Sequence, residues 1–179
     1  MQRVLVMGSS GSGKSTFARR LSEIAGIPFV SLDALYWKPG WVASDNAEFE
    51  QRVAEIARQP RWVMDGNYTR YGAGELRRQT SDTVIWFDLP RATCMLGILT
   101  RIAKSYGQVR PEMAEGCPEK IDLEFFRYVW SFRQKQRPTL LAYFESLRPD
   151  QTFIRFTDRA QAERYLSDLA LAPASASVH

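Results

Sequence analysis

The sequence predicts an α/β fold, a mainly parallel sheet with helices on both of its faces. Three observations carry this. Strand-length apolar runs alternate with helix-spaced runs from end to end. The longest strongly apolar runs, such as Val4 to Met7 and Val84 to Phe87, have the length of buried strands and no more. A glycine-rich stretch, Gly8 to Ser15, joins the first strand to the first helix.

Each element follows from local pattern. Arg3 to Met7 is a short apolar run closed by Gly8, a buried strand. Lys14 to Ala25 carries Phe17, Leu21, Ile24 and Ala25 at helical spacing, and Gly26 stops it. Phe29 to Leu32 is a second strand with Asp33 at its end. A polar and aromatic loop with Pro39 and Gly40 follows. Ser44 or Asp45 can cap a helix with Phe49, Val53 and Ile56 on one face. Arg61 to Asp65 is a third strand. Thr83 to Leu89 is a fourth, ended by Pro90. Arg91 to Ser105 is helical, with Met95, Leu99 and Ile102 in register.

Tyr106 to Lys120 breaks pattern with Gly107, Pro111, Gly116 and Pro118. Ile121 to Gln136 is helical with aromatics nearly all round, and Pro138 ends or kinks it. Arg133 and Arg137 then share a helix face. Thr152 to Phe156 is a fifth strand and Asp158 to Leu171 a last helix. The expected organisation is one domain over residues 1–172, a mobile insertion at about 106–120, and a flexible tail at 173–179.

Composition removes whole reaction classes. The 179 residues are 45% hydrophobic and 25% charged, which suits a folded chain rather than a disordered one. No run approaches the ~18–20 apolar residues of a membrane span. No small-residue cleavage pattern follows the first run, so no secretory leader is expected. The single histidine is His179, at the end of the expected tail. A Ser-His-Asp triad or a multi-histidine zinc site therefore has no histidine to use. Two cysteines, Cys94 and Cys117, cannot make a disulfide framework and fit a reducing cytoplasm. Cys94 is expected as a buried thiol on a helix. The net charge of +4 suits a phosphorylated small molecule and is too small to call for nucleic acid.

Gly8-Ser9-Ser10-Gly11-Ser12-Gly13-Lys14-Ser15 matches G-x-x-x-x-G-K-[ST] at every fixed position, after a strand and before a helix. Glycines let backbone N–H groups turn inward onto phosphate oxygens. The helix beginning near Lys14 adds its unpaired N–H groups and the positive end of its dipole. Lys14 can reach the β- and γ-phosphates of ATP, the Ser15 hydroxyl can ligate Mg2+, and Thr16 can touch the α-phosphate.

Three carboxylates fall at strand ends, where open parallel sheets bind ligands: Asp33, Asp65 and Asp88. Asp65 closes an apolar run as a Walker B aspartate would and is expected to hold a Mg2+ water; the alternative is a turn cap beside Gly66 and Asn67. Asp33 can take a proton from an acceptor hydroxyl or orient it, can join the Mg2+ water shell with Asp65, or can simply cap the next turn. Tyr36, Trp37 and Trp41 beyond it either form a stacking wall or pack on the core. Asp88 is expected to cap or pair locally. Phosphoryl transfer needs cations around the migrating group, and an insertion delivering Arg101 and Arg110 over the phosphates would supply them. Arg70, Arg77 and Arg78 could hold an anionic acceptor.

These motifs resemble the P-loop kinases of the nucleoside monophosphate kinase and shikimate kinase type. More narrowly, the chain is similar to the adenylate kinase-like, DNA topology modulation (FlaR-related) family. The residues concerned are Gly8–Ser15, Leu32 to Trp41, Trp62-Val-Met-Asp-Gly-Asn-Tyr68, Asp82 to Arg91 and Arg110 to Glu119. The resemblance implies a P-loop NTPase three-layer fold with sheet order 2-3-1-4-5 and a lid between the fourth and fifth strands. It also implies an adenine-side loop at Thr157 to Arg159. Two departures stand out. The Asp-Gly-x-Pro-Arg of adenylate kinases is here Asp65-Gly-Asn-Tyr-Thr-Arg70, without Pro and with Arg displaced by one. The glycine-rich third-strand motif of shikimate kinases is missing. The expected function is an ATP- and Mg2+-dependent kinase acting on a hydroxyl-bearing or nucleotide-like small molecule. The alternative is a nucleotide-binding regulator or weak ATPase without such an acceptor.

Overall fold

The computed structural model describes residues 1–171; the expected tail at 173–179, with His179, lies outside the described residues. The chain begins with β1 (Arg3–Gly8), the glycine-rich turn and α1 (Lys14–Ala25), then β2 (Phe29–Ser31) and a short α2 (Leu32–Tyr36). An antiparallel ribbon of β3 (Trp37–Lys38) and β4 (Val42–Ala43) precedes α3 (Asn46–Ala57). Next come β5 (Trp62–Asp65), α4 (Gly74–Thr80), β6 (Thr83–Phe87) and α5 (Arg91–Ser105). After an irregular stretch come α6 (Leu123–Lys135), α7 (Arg137–Glu145), β7 (Thr152–Phe156) and α8 (Arg159–Leu171).

The sheet runs β2-β5-β1-β6-β7 with every pair parallel. Counting these five strands alone, this is the expected order 2-3-1-4-5. The ribbon is additional and stands where a loop is expected. β1 is central, and its pleat builds two cores at once. Val4 and Val6 face one side, with Phe17 and Leu21 of α1, Cys94 and Ile98 of α5, and Leu166 of α8. Leu5 and Met7 face the other, with Phe49 and Val53 of α3, Phe132 of α6 and Leu140 of α7. A period of two on a strand buried on both faces therefore gives the unbroken apolar run. No helix among the described residues is long and apolar enough to cross a membrane.

Three local expectations are corrected. First, β2 ends at Ser31, one residue early. The Ser31 hydroxyl accepts from Ala34 N at 3.2 Å and caps α2, so Asp33 sits in a helical first turn rather than at a strand end. Second, α6 stops at Lys135, just before Pro138 as expected, but Pro138 also starts a further helix where none is expected. It lies in the first turn of α7, where its missing N–H costs no helical bond. Arg133 and Arg137 thus belong to different helices. Third, Asp88 does not pair locally. It accepts from Arg137 Nε and Nη2 at 3.0 and 2.9 Å and from Arg155 Nε and Nη2 at 3.1 and 2.5 Å. Both guanidiniums also lie over the Trp86 ring, at 5.3 and 5.0 Å. Burial pushes the Asp88 carboxyl up, but hydrogen bonds from the two arginines outweigh it and hold it below the usual carboxylate range. For α3, Asp45 is the cap, accepting from Ala47 N and Glu48 N.

Candidate active site

The strand order reverses at β1, between β5 and β6, and the cleft opens at the carboxyl ends of these strands. Its volume is about 1150 Å3. The glycine-rich turn lines one end. At the other, α2, the ribbon and the loop after β5 contribute Asp33, Tyr36, Trp37, Trp41, Tyr68 and Tyr71.

The turn is held by side chains from two other segments. Asn67 grips Gly8 twice, accepting from its N at 2.9 Å and donating to its O at 3.0 Å. Arg159 donates from Nη2 to Gly11 O at 2.6 Å and from Nε to Ser12 O at 3.3 Å. With those carbonyls tied outward, the neighbouring N–H groups are free to face the cleft. Gly13 precedes α1 in the left-handed region at φ 99°, with no side-chain cap, leaving the first-turn N–H groups for an anion. Arg159, expected on the nucleotide side, lines the cleft there as a brace on the turn. The turn also sits directly on α5: a Cβ at Gly97 would overlap Gly11 O and the Arg159 guanidinium. Gly97→Ala is therefore expected to displace the turn by an atomic diameter's fraction and to lower turnover by roughly 10²-fold. Steady-state kinetics beside a thermal melt would separate this from unfolding.

Lys14 is 7% exposed, with Nζ 3.4 Å from Asp65 Oδ1 and 3.4 Å from Ser15 Oγ. Asp65 is also buried, and its Oδ1 accepts no hydrogen bond. Burial pushes its carboxyl up, opposed chiefly by the Lys14 charge. A buried, unsatisfied carboxylate oxygen beside a hydroxyl fits a hydrated divalent cation, which would neutralise it and release Lys14. No group of three or more His, Cys, Asp or Glu side chains that could hold a metal ion occurs among the described residues.

At the far end, Asp33 Oδ1 accepts from the Tyr68 hydroxyl at 2.7 Å. Burial, then the Asp33 charge, pushes the Tyr68 phenol well above its ordinary range, so it stays a donor. Tyr68 has φ 36° and Trp41 φ 62°, a backbone region side chains seldom adopt. The strain at Tyr68 is held by Arg77. This side chain is fully buried and donates to Gly72 O, Asn67 O and Tyr68 O at 2.8, 2.9 and 2.8 Å. Arg77 is thus a clamp on the loop and no acceptor ligand, against the sequence expectation. Arg78 pairs with Glu75 and the Ser146 carbonyl, which removes it too. Arg77→Leu would strand three carbonyls, and a loss of at least about 3 kcal/mol is expected in urea unfolding.

Arg101 and Arg110 both line the cleft, but each is ion-paired. The buried Glu119 carboxylate lies 2.7 Å from Arg101 Nη2 and 2.9 Å from Arg110 Nε. Glu112 takes Arg110 Nη1 at 2.9 Å. Segment 106–120 also touches the ribbon: Gly40 N donates to Gly116 O at 2.8 Å, Trp41 Nε1 to Pro118 O at 3.0 Å, and Cys117 Sγ to Lys38 O at 3.2 Å. Sequence reasoning missed Asn67, Tyr68, Arg77, Gly97 and Glu119 in these roles. Only the Gly66-Asn67-Tyr68 turn carried a local signal. The others depend on contacts between distant segments.

No family model matches the chain. Over 57 residues it is 37% identical to the ATP-dependent protease ATPase subunit HslU of Bartonella bacilliformis, and 33% to that of Rhodopseudomonas palustris. Each match covers 31% of this chain and spans 13% of the relative's length. Among solved structures, shikimate kinase from Bacteroides thetaiotaomicron superposes with TM-score 0.59 at 20% identity, over 94% of this chain and 96% of that one. Shikimate kinase from Acinetobacter baumannii in complex with shikimate gives 0.56 at 16%, over 94% and 90%. A sugar kinase from Janibacter gives 0.50 at 22%, over 99% of both chains. The chain has the fold of the P-loop kinases. At these identities the likeness concerns the fold, and the reaction has to be argued from the cleft.

Proposed function

We propose that this protein is a cytoplasmic ATP-dependent small-molecule kinase. Its reaction moves the γ-phosphoryl of Mg2+-bound ATP to a hydroxyl or nucleotide-like acceptor. One observation carries the reading: a single cleft has a complete phosphate loop at one end and a tyrosine-held carboxylate, Asp33, at the other. Gly8 to Thr16 hold the phosphates, with Lys14 on the β- and γ-oxygens. Ser15 and Asp65 would hold Mg2+, which would supply neutralisation of phosphate charge when bound. The acceptor oxygen attacks the γ-phosphorus, the bond to the β-bridging oxygen breaks, and the acceptor proton passes to Asp33.

The same reading treats residues 1–172 as one domain with a lid at about 106–120. Lid closure would exclude water, and phosphates would draw Arg101 and Arg110 away from Glu119. The motif resemblance to the adenylate kinase-like, DNA topology modulation family belongs to this proposal. A second reading, a weak ATPase or nucleotide-binding regulator, is favoured by the partial HslU likeness. ADP release measured against a panel of acceptors decides between them. Release that rises many-fold with one compound supports the kinase, and slow release indifferent to every compound supports the ATPase.

A further inference from the structure

Cations line the cleft at Lys14 in the glycine-rich turn and at Arg101, Lys104 and Arg110 on α5 and the segment after it, both arginines held by Glu119. Around Asp33 the surface is aromatic. Tyr36 lies 5.1 Å from Trp37 and 5.2 Å from Tyr68, Trp37 lies 5.6 Å from Trp41, and Tyr68 lies 5.6 Å from Tyr71, mostly edge to face. Each ring is partly exposed, so faces and edges remain open to the cleft.

Most cations on the elements around Asp33 are already engaged. Arg77 and Arg78 clamp backbone and pair with Glu75. Lys38 pairs with Glu48 at 3.0 Å. Lys120 pairs with Asp122 at 3.6 Å and lies 5.5 Å over the Trp41 ring. Among the described residues, this leaves Arg70, an exposed side chain on the loop after β5. Asp33 is the charge at the centre of this half, and its Oδ1 is already taken by Tyr68. A carboxylate or phosphate ester placed against it would meet like charge with no buried countercharge. A neutral ring meets flat aromatic surfaces and a carboxylate oxygen able to accept its hydroxyl.

Building on the kinase reading, we infer that the acceptor is a neutral ring alcohol of the sugar or nucleoside class. Its ring lies on the Tyr36, Trp37, Trp41 and Tyr71 wall, and its reacting hydroxyl donates to Asp33. Acidic acceptors, whether carboxylates or phosphate esters, are rejected by Asp33.

Matched probes test this with the full-length protein, by calorimetry and by ADP release with Mg·ATP. The pairs are adenosine and AMP, ribose and ribose 5-phosphate, and glucose and gluconate. The expected result is saturable turnover with at least one neutral member, its kcat/KM exceeding that of its acidic partner by roughly 100-fold. A response to adenosine and not to ribose or glucose assigns the nucleoside source, and the reverse assigns the sugar source. Preference for the acidic member of any pair overturns the inference, as does failure of every neutral probe to saturate. Tyr71→Ala should raise the KM of the neutral probe several-fold with little change in the KM for ATP. The two readings fail separately. A neutral probe that binds by calorimetry without driving ADP release removes the kinase and keeps the ligand class. Turnover driven best by an acidic probe keeps the kinase and removes the ligand class.

Discussion

Lys14→Met is expected to cut kcat/KM for phosphoryl transfer by at least roughly 10²–10³-fold and to weaken Mg·ATP binding in calorimetry. The ammonium is the one side-chain cation built into the glycine-rich turn, and it already lies buried against Asp65. Charge stabilisation is strongest where water is excluded, so its loss is felt most as negative charge shifts toward the β,γ-bridge. Methionine keeps the length and bulk of the stem. The substitution also leaves Asp65 buried beside no cation, and its carboxyl should move further up. Unfolding curves for both proteins are therefore needed beside the titration. A folded Lys14→Met protein that binds Mg·ATP as tightly as its parent would place the nucleotide elsewhere.

Asp33→Asn is expected to lower turnover by about 10²–10⁴-fold with little change in the KM for ATP. The amide is nearly isosteric, and its oxygen can still accept from Tyr68. What disappears is the ability to take the acceptor's proton. A role in the Mg2+ water shell makes a different prediction: the Mg2+ concentration needed for half-maximal rate would rise while acceptor saturation stayed the same. Efficient phosphorylation of AMP, CMP or UMP by the parent protein would remove the need for a base, because a phosphate nucleophile is already anionic.

The elements that sequence made legible are those fixed by local pattern. Lys14–Ala25, Arg91–Ser105 and Thr152–Phe156 begin and end where periodicity and breakers put them. The phosphate turn was legible because its glycines, lysine and serine are contiguous in the chain. Asp33 was legible as a cleft carboxylate, but its helical setting was hidden because Ser31 looks like strand until its hydroxyl is seen capping. Pro138 marked the end of α6 but hid the start of α7, because a proline one residue into a helix and one just past an end look alike without the structure. The arginines were the least legible. Arg77 and Arg78 are adjacent in the chain, yet one is wholly buried on backbone carbonyls of the preceding loop and the other, partly buried, pairs with Glu75 and reaches the Ser146 carbonyl. Which carbonyls or carboxylates an arginine meets is settled by tertiary packing, and pattern carries no trace of it.

The hydrogen bonds joining the ribbon to residues 116–118 tie Trp41 to the segment that carries Arg110. On the kinase reading, affinities at the two ends of the cleft would therefore not be independent quantities. A compound that settled against Trp41 would bias Arg110, and a polyphosphate that engaged Arg110 would bias Trp41 by the same free energy, since such linkage is reciprocal. Heterotropic synergy of this kind would give each substrate a lower dissociation constant in the presence of the other.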